Sequence, residues 1–158
     1  MKKAIEIQAP NTHTKKDGYT SIFLGGSIGL PDSGKASDWQ QDIIKALEDE
    51  KIQFLNPRRS DWDSSWEQKA TNPEFRQQVL WELLGLEVAD IIIMYFDPNT
   101  KSPISLLELG LYASSGKLIV CCPEPFWRKG NVDIVCEMYD VTQVNTIEEV
   151  IKKIKSLI

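Results

Sequence analysis

The chain is poor in the residues that most often declare a chemistry. It has one histidine, His13, and three cysteines, Cys121, Cys122 and Cys136, with no CxxC spacing. An odd, unpaired set of thiols argues against a disulfide framework or a zinc site and fits a reducing cytoplasm. His13 lies in a polar stretch and is expected at the surface, not as a catalytic base. There is no basic excess: 18 Lys and Arg stand against 23 Asp and Glu, a net charge of −5, so a general nucleic-acid binder, which carries a basic face, is excluded. No apolar run is long enough to span a bilayer. MKKAIEIQAP has two lysines without a following apolar region, so no signal peptide is expected. There is neither an internal repeat nor a low-complexity tract.

What remains is an ordinary soluble composition, 42% hydrophobic and 26% charged, in 158 residues. That length suits one domain, 1–158, with a core that needs no disulfide or metal. Residues 1–20 read as an irregular N-terminal segment. Ser21–Leu24 is a strand ending in a glycine turn, Gly25–Gly29. A helix follows over Ala36–Asp49, with Ser37 or Asp38 as its N-cap. Ile52–Leu55 is a strand closed by Asn56-Pro57, and 58–72 is a polar loop carrying Trp62 and Trp66. Pro73–Val88 is a helix on the spacing of Phe75, Val79, Leu83 and Leu86. Ile91–Phe96, with three isoleucines, reads as a strand covered on both faces. A loop leads to a helix over Ile104–Ser115 with Gly116 as C-cap, then a strand over Leu118–Cys122. Ile134–Tyr139 and Val141–Asn145 are short apolar runs of undecided type, and Thr146 caps a final helix, Ile147–Ile158. Alternating strands and helices predict an α/β fold with a mainly parallel, five-stranded sheet covered on both faces, Rossmann-like or flavodoxin-like.

In such folds ligands bind beyond the carboxyl ends of the strands. Three segments qualify: the glycine turn (Gly25, Gly26, Ser27, Ile28), the NPRR stretch (Pro57, Arg58) and the loop running to Ser105. The turn is neither GxGxxG nor a Walker A loop, but its free N–H groups suit an anion or a ribose. Arg58 or Arg59 could hold a phosphate or carboxylate, and the loop tryptophans Trp62, Trp66 and Trp127 either pack the loops down or stack on a base.

Glu108 is the most pointed residue. It lies in SPISLLELG, on a helix apolar on nearly every face. At 100° per residue it sits about 40° to one side of Ile104, with Leu107 and Leu111 to the other, beside the apolar stripe. A glutamate so placed either pairs with Arg58, Arg59 or Lys117 for structure, or serves as a rigid nucleophile toward an anomeric carbon. Glu82, on the preceding helix, is either a solvated carboxylate or faces the site mouth. Asp90 begins a strand and is read as structural.

Taken in order, IFLGGSI, an acidic residue eight positions before an Ala-Asp strand start (Glu82, then Ala89-Asp90), the Glu108-Leu109-Gly110 helix and the Gly116-Lys117 strand start resemble the nucleoside 2-deoxyribosyltransferase family and the related nucleoside 5′-monophosphate N-glycosidases. The resemblance spans Ser21 to Asn145. The NPRR, WE and SPISLLELG segments are most similar to a deoxyribosyltransferase-like subgroup. It implies that Glu108 attacks C1′ of a nucleoside to form a glycosyl-enzyme. Glu82 would contact the base or leaving group, and no metal or organic cofactor would be needed. The implied partner is a small nucleoside or nucleotide, neither a nucleic acid polymer nor a membrane, in base salvage. Phe23 falls where transferases carry a tyrosine. Ser102 falls where transferases carry Asp and monophosphate hydrolases carry Ser. An arginine common in the hydrolase branch is absent, Gly29 standing in its place. Asn131 falls on an asparagine that reaches the sugar of a neighbouring subunit, which implies a homo-oligomer. Three functions remain open on the sequence: transfer of the sugar to another base, hydrolysis of a nucleoside monophosphate, or nucleotide binding without turnover.

Overall fold

In the computed structural model, residues 1–28, 34 and 36–158 are described. Six parallel strands form one sheet: β1 (Ile5–Gln8), β2 (Thr20–Gly26), β3 (Ile52–Asn56), β4 (Ile91–Tyr95), β5 (Leu118–Cys121) and β6 (Thr142–Val144). Five helices connect or close them: α1 (Trp39–Ala46), α2 (Pro73–Val88), α3 (Pro103–Tyr112), α4 (Lys129–Met138) and α5 (Ile147–Leu157). The sheet order is β1-β3-β2-β4-β5-β6. The chain winds from β2 to β3 on one side, then crosses back to lay β4 on the other. The order therefore reverses between β2 and β4, and the crevice beyond their carboxyl ends is where this topology opens.

Each central strand is apolar on both faces because both are covered. Ile22 and Leu24 of β2, Ile91 and Ile93 of β4, and Ile119 and Cys121 of β5 pack with α1 and α5, through Trp39, Ile43, Val150 and Ile154. Phe23, Ile92, Met94, Leu118 and Val120 point the other way, into a second core with Trp81 and Leu86 of α2, Leu109 of α3 and Val132 of α4.

The helix starts follow local chemistry. The Asp38 carboxylate accepts from the Gln41 amide (3.3 Å), Asn72 from Phe75 (2.9 Å) ahead of Pro73, and Thr146 Oγ1 from Glu149 (3.1 Å). Gly116 ends the turn after α3 in the left-handed region at φ +77°. Asp90 is structural, accepting from the Ser21 amide (2.9 Å) and pairing with Lys15 (3.2 Å). All three cysteines are free and buried.

One expectation changes, and one segment left open is assigned. The sheet has six strands, not five, because part of the segment 1–20 forms β1 on β3. With only Ile5 and Ile7 apolar in a four-residue edge strand, its alternation is too brief to stand out. Ile134–Tyr139 belongs mostly to α4, where Asp133 and Glu137 interrupt the apolar run at helical spacing; the strand is Thr142–Val144. Among the described residues no helix is long and apolar enough to cross a membrane.

Candidate active site

The crevice is built first from backbone. Gly26 ends β2 at φ +111°, and a Cβ there would stand 2.3 Å from the Tyr95 carbonyl oxygen. Only glycine lets β2 and β4 come this close while the chain turns away. Gly26→Ala is expected to cost about 2–4 kcal/mol of folding stability, measured by denaturant titration, from the strained φ and the forced separation of the strands. Gly25 is less demanding, its nearest contact to a new Cβ being 3.3 Å. Ile28 is half-buried, and Gly29, the last glycine of the turn, lies outside the described residues.

The turn presents Ser27, whose amide donates to the Tyr95 carbonyl (2.8 Å) and whose carbonyl accepts from Trp39 Nε1 (2.8 Å). Its hydroxyl accepts from the Asp97 amide (2.8 Å) and meets Thr100 Oγ1 (2.9 Å) and Ser102 Oγ (2.6 Å). Thr100 and Ser102 close the triangle at 2.6 Å. Thr100 also donates to the Asp97 carbonyl (2.9 Å), so its proton is spent and Ser27 and Ser102 supply the other two. All three hydroxyls are buried at the switch point, with Ser102 held in the left-handed region at φ 46° just before Pro103 starts α3. Asp97 braces the far side, accepting from the Ser37 amide (3.0 Å). Arg58 is tied there too, through Nη2 to the Ser37 carbonyl (2.8 Å).

Glu108 and α3 overturn the simple amphipathic reading. Ile104, Leu107 and Leu111 are 51%, 61% and 56% exposed, while Glu108 is 5% exposed. The apolar stripe faces out and the carboxylate faces in, with Ser105 buried one turn earlier on α3. Glu108 has no ion pair among the described residues. Arg59 is bound to Asp61 (2.7 Å), and Lys117 to the Leu86 and Glu87 carbonyls (3.3 and 2.8 Å). The pairing with Arg58, Arg59 or Lys117 is therefore not what holds it.

The other carboxyl close by is Glu82. Glu82 is half-buried on α2, near enough for the two charges to repel. Loss of solvent, then repulsion from Glu108, pushes the Glu82 carboxyl up to about 8. Loss of solvent raises Glu108 to about 7. Burial thus outweighs the helix dipole, which near the start of α3 favours the charged form. Both carboxyls thus take up a proton more readily than a free glutamate. Phe23, fully buried, lies 6.1 Å from the Trp81 ring and so close over Gly85 that a Cβ there would meet its ring at 2.7 Å. Pro57 ends β3 beside α2, its carbonyl accepting from Gln78 Nε2 (3.1 Å).

Not everything converges. Asn131 is exposed in the first turn of α4, in a groove of about 300 Å³ with Leu106, Gly110, Trp127 and Arg128. This groove is on the α4 flank of α3, whereas Glu108 turns to α2. Trp62 and Trp66 pack edge to face on each other (4.9 Å) in their loop. His13 is not a plain surface residue: its ring stacks on Trp81 (4.5 Å) and Nε2 donates to the Trp81 carbonyl (2.9 Å). Asp97, Thr100 and Gln78 escaped the sequence reading. The first two lie in a loop it selected as a whole, and Gln78 carries the helical signal of standing one turn before Glu82.

Residues 19–126 match the family described as nucleoside 2-deoxyribosyltransferase like. The chain belongs to that family. Among solved structures, this nucleoside 2-deoxyribosyltransferase-like chain is similar to a conserved protein from Enterococcus faecalis V583. The TM-score is 0.59 at 12% identity, over 89% of this chain and 99% of that one. It is also similar to the CMP N-glycosidase BcmB of Clostridium botulinum, with a TM-score of 0.54 at 16% identity, over 88% of this chain and all of that one. At these identities the likeness establishes the fold. No curated protein matches the chain. Family membership supports a glycosyl-transferring or N-glycosidic activity on small nucleoside substrates.

Proposed function

We propose that this family member is a cytoplasmic enzyme that cleaves the N-glycosidic bond of a nucleoside through a glycosyl-Glu108 intermediate and passes the sugar to another base. The observation that carries the reading is the Glu82–Glu108 pair, two carboxyls raised together at the switch-point crevice. Two raised carboxyls, one ionised and one protonated, would supply both functions the reaction needs, a nucleophile and an acid. A Glu108 oxygen bonds to C1′ as the C1′–N bond breaks. The electron pair leaves on the base nitrogen, which takes the proton from Glu82. In the second half an incoming base attacks C1′, gives its proton to Glu82 and frees Glu108. The buried site keeps the intermediate from water. Gly25, Gly26 and Ile28 would shape the sugar pocket, with Phe23 and Trp81 as its apolar floor.

A second reading, hydrolysis of a nucleoside 5′-monophosphate, is favoured by one observation: the Ser27, Thr100 and Ser102 hydroxyls gathered beneath the glycine turn. Two of their protons can reorient toward a phosphate oxygen. Incubating the protein with nucleosides and 5′-monophosphates, with and without an added base, separates the readings. Base exchange supports the transferase, and base release from monophosphates alone supports the hydrolase. No release across the panel, with binding retained, returns the silent nucleotide binder.

Asn131 faces away from its own Glu108, so if it touches sugar it does so in a neighbouring copy. Mixing inactive Glu108→Gln and Asn131→Ala proteins is then expected to restore roughly a quarter of wild-type turnover. Half of randomly mixed dimers are hybrid, and each hybrid has one intact site. Absence of any recovery under subunit exchange would assign Asn131 to the α4 surface alone.

A further inference from the structure

The sequence of α3, PISLLELGLY, carries one charged residue, Glu108, and the fold buries it. What α3 shows to solvent is therefore uncharged: Pro103, Ile104, Leu107, Gly110 and Leu111. A helix apolar on its inner and its outer face belongs between two layers of protein, not at a surface. Its neighbour α2 repeats the pattern. Leu80, Leu83 and Leu84 are 44%, 36% and 57% exposed, and Val88 follows one turn later. From Leu80 to its end, the exposed charge on α2 is Glu87 alone, and that carboxylate accepts from the Tyr112 hydroxyl of α3 (2.8 Å).

This bond sets the two helices side by side. Each carries the chain from the carboxyl end of one parallel strand to the amino end of the next, so they run in the same direction. Lys117, just beyond α3, also reaches the Leu86 and Glu87 carbonyls (3.3 and 2.8 Å). Stepping back equally from Glu87 and Tyr112, at about 1.5 Å per residue, brings Leu83 and Leu84 level with Glu108 and Leu109. The exposed leucines of α2 thus lie alongside those of α3, and the two stripes form one patch. At these exposures its large apolar residues present on the order of 600 Å², the upper end of what a monomer leaves bare and most of the roughly 800 Å² that each partner gives to a stable interface.

We propose that a second copy of the chain docks on this α2–α3 face about a two-fold axis, each pair of helices packing on the same pair of the other copy. The chemistry of the patch selects that occupant. It offers no array of charges or donors for a partner of different chemistry to match. An apolar surface is its own complement, as a two-fold requires. A lipid surface fits less well, because interfacial helices border their apolar face with Lys and Arg. Here α3 has neither, α2 has Arg76 alone, ahead of the patch, and the chain carries a net charge of −5. The helix α3 also gives Leu106 and Gly110 to the groove that holds Asn131. A copy seated on Ile104, Leu107 and Leu111 stands beside that groove, where an Asn131 shared between copies has to be. The pairing does not depend on which reaction the site performs.

Sedimentation equilibrium of the full-length protein tests it. At micromolar concentration the wild type is expected at no less than twice the 18.0 kDa mass of one chain. Leu107→Glu puts a carboxylate from each copy into the apolar contact and is expected to weaken pairing at least about 100-fold. Leu107 is 61% exposed, so the fold itself should be unharmed, which circular dichroism checks. Leu84→Glu repeats the test from α2 should Leu107→Glu fail to fold. Met138→Glu makes the same change at a 74% exposed position on α4 and should leave pairing intact. A wild type that stays at the mass of one chain overturns the proposal. Pairing unmoved in both leucine variants also overturns it, as does an equal loss in Met138→Glu. A single-chain wild type that floats with phosphatidylcholine vesicles overturns it in favour of a lipid surface.

Discussion

Glu108→Gln is expected to lose at least about 10³-fold in base release, with folding unharmed. Glutamine keeps the volume and one oxygen of the side chain, so the packing around α3 persists. What goes is the charged oxygen that attacks C1′ in the proposed reaction, which then has no covalent route. Alanine would lose the same chemistry but open a cavity, so glutamine isolates the effect. Chromatographic assay of released base, with substrate binding measured on the same variant, separates loss of chemistry from loss of affinity. Retained turnover in Glu108→Gln would remove this residue from the mechanism.

Stability is expected to fall as pH rises from about 5 to 8.5, against the usual direction for an acidic protein. The folded-state values of Glu82 and Glu108 lie above the ordinary 4.5, at about 8 and about 7. Below about pH 4.5 both carboxyls are protonated whether the chain is folded or not, and the pair adds no penalty. Between 4.5 and the folded values the native state holds protons that the unfolded chain has released, so raising the pH favours unfolding. The contribution is present at low pH and lost as pH climbs through 7 and 8. Because the mutual repulsion counts once for the pair, the loss is on the order of 3–5 kcal/mol. Urea titrations at pH 5.5 and 8.5 measure it. The Glu82→Gln, Glu108→Gln double variant should be the more stable protein at pH 8.5 and should lack most of the slope. A double variant with the wild-type slope would show that the two carboxyls are not raised as described. The same ordering predicts turnover that rises as Glu108 releases its proton and falls as Glu82 does, with an optimum between 7 and 8.

A protein that keeps such a pair gives up stability at working pH. That cost is understandable if two carboxyls at one crevice are needed for chemistry, and hard to explain as architecture, since Glu108 gains no ion pair among the described residues in return. The outward stripe of Ile104, Leu107 and Leu111 belongs to the same arrangement. It leaves α3 free to turn its carboxylate inward.

The elements with strong local signals were legible. The three isoleucines of β4, the Phe75, Val79, Leu83 and Leu86 spacing of α2 and the Gly116 stop after α3 read directly, because period and left-handed glycine are local properties. β1 was not legible, since four residues with two isoleucines do not make a period. The run over 134–139 stayed undecided because Val135 and Cys136 are apolar in either a strand or a helix. At the site, Glu108 stood out by composition, but the direction it faces did not. Helical spacing placed it beside the apolar stripe, and only the folded exposure of α3 shows that the stripe is outside and the glutamate in. Glu82 gained meaning from its nearness to Glu108, which joins residues far apart in sequence and has no local signature. The hydroxyl triangle joins Ser27 to Thr100 and Ser102 across the switch point and was equally out of reach of any single window.

The central claim is a covalent bond between a sugar and Glu108. Intact-mass spectrometry of the wild type and Glu108→Gln, after incubation with each 2′-deoxynucleoside and its 5′-monophosphate, tests it most directly. The account predicts a mass increase of one glycosyl group on the wild type, located to Glu108 by peptide mapping and missing in the variant; the mass also shows whether the phosphate travels with the sugar. Base release without any adduct, undiminished in Glu108→Gln, would contradict it.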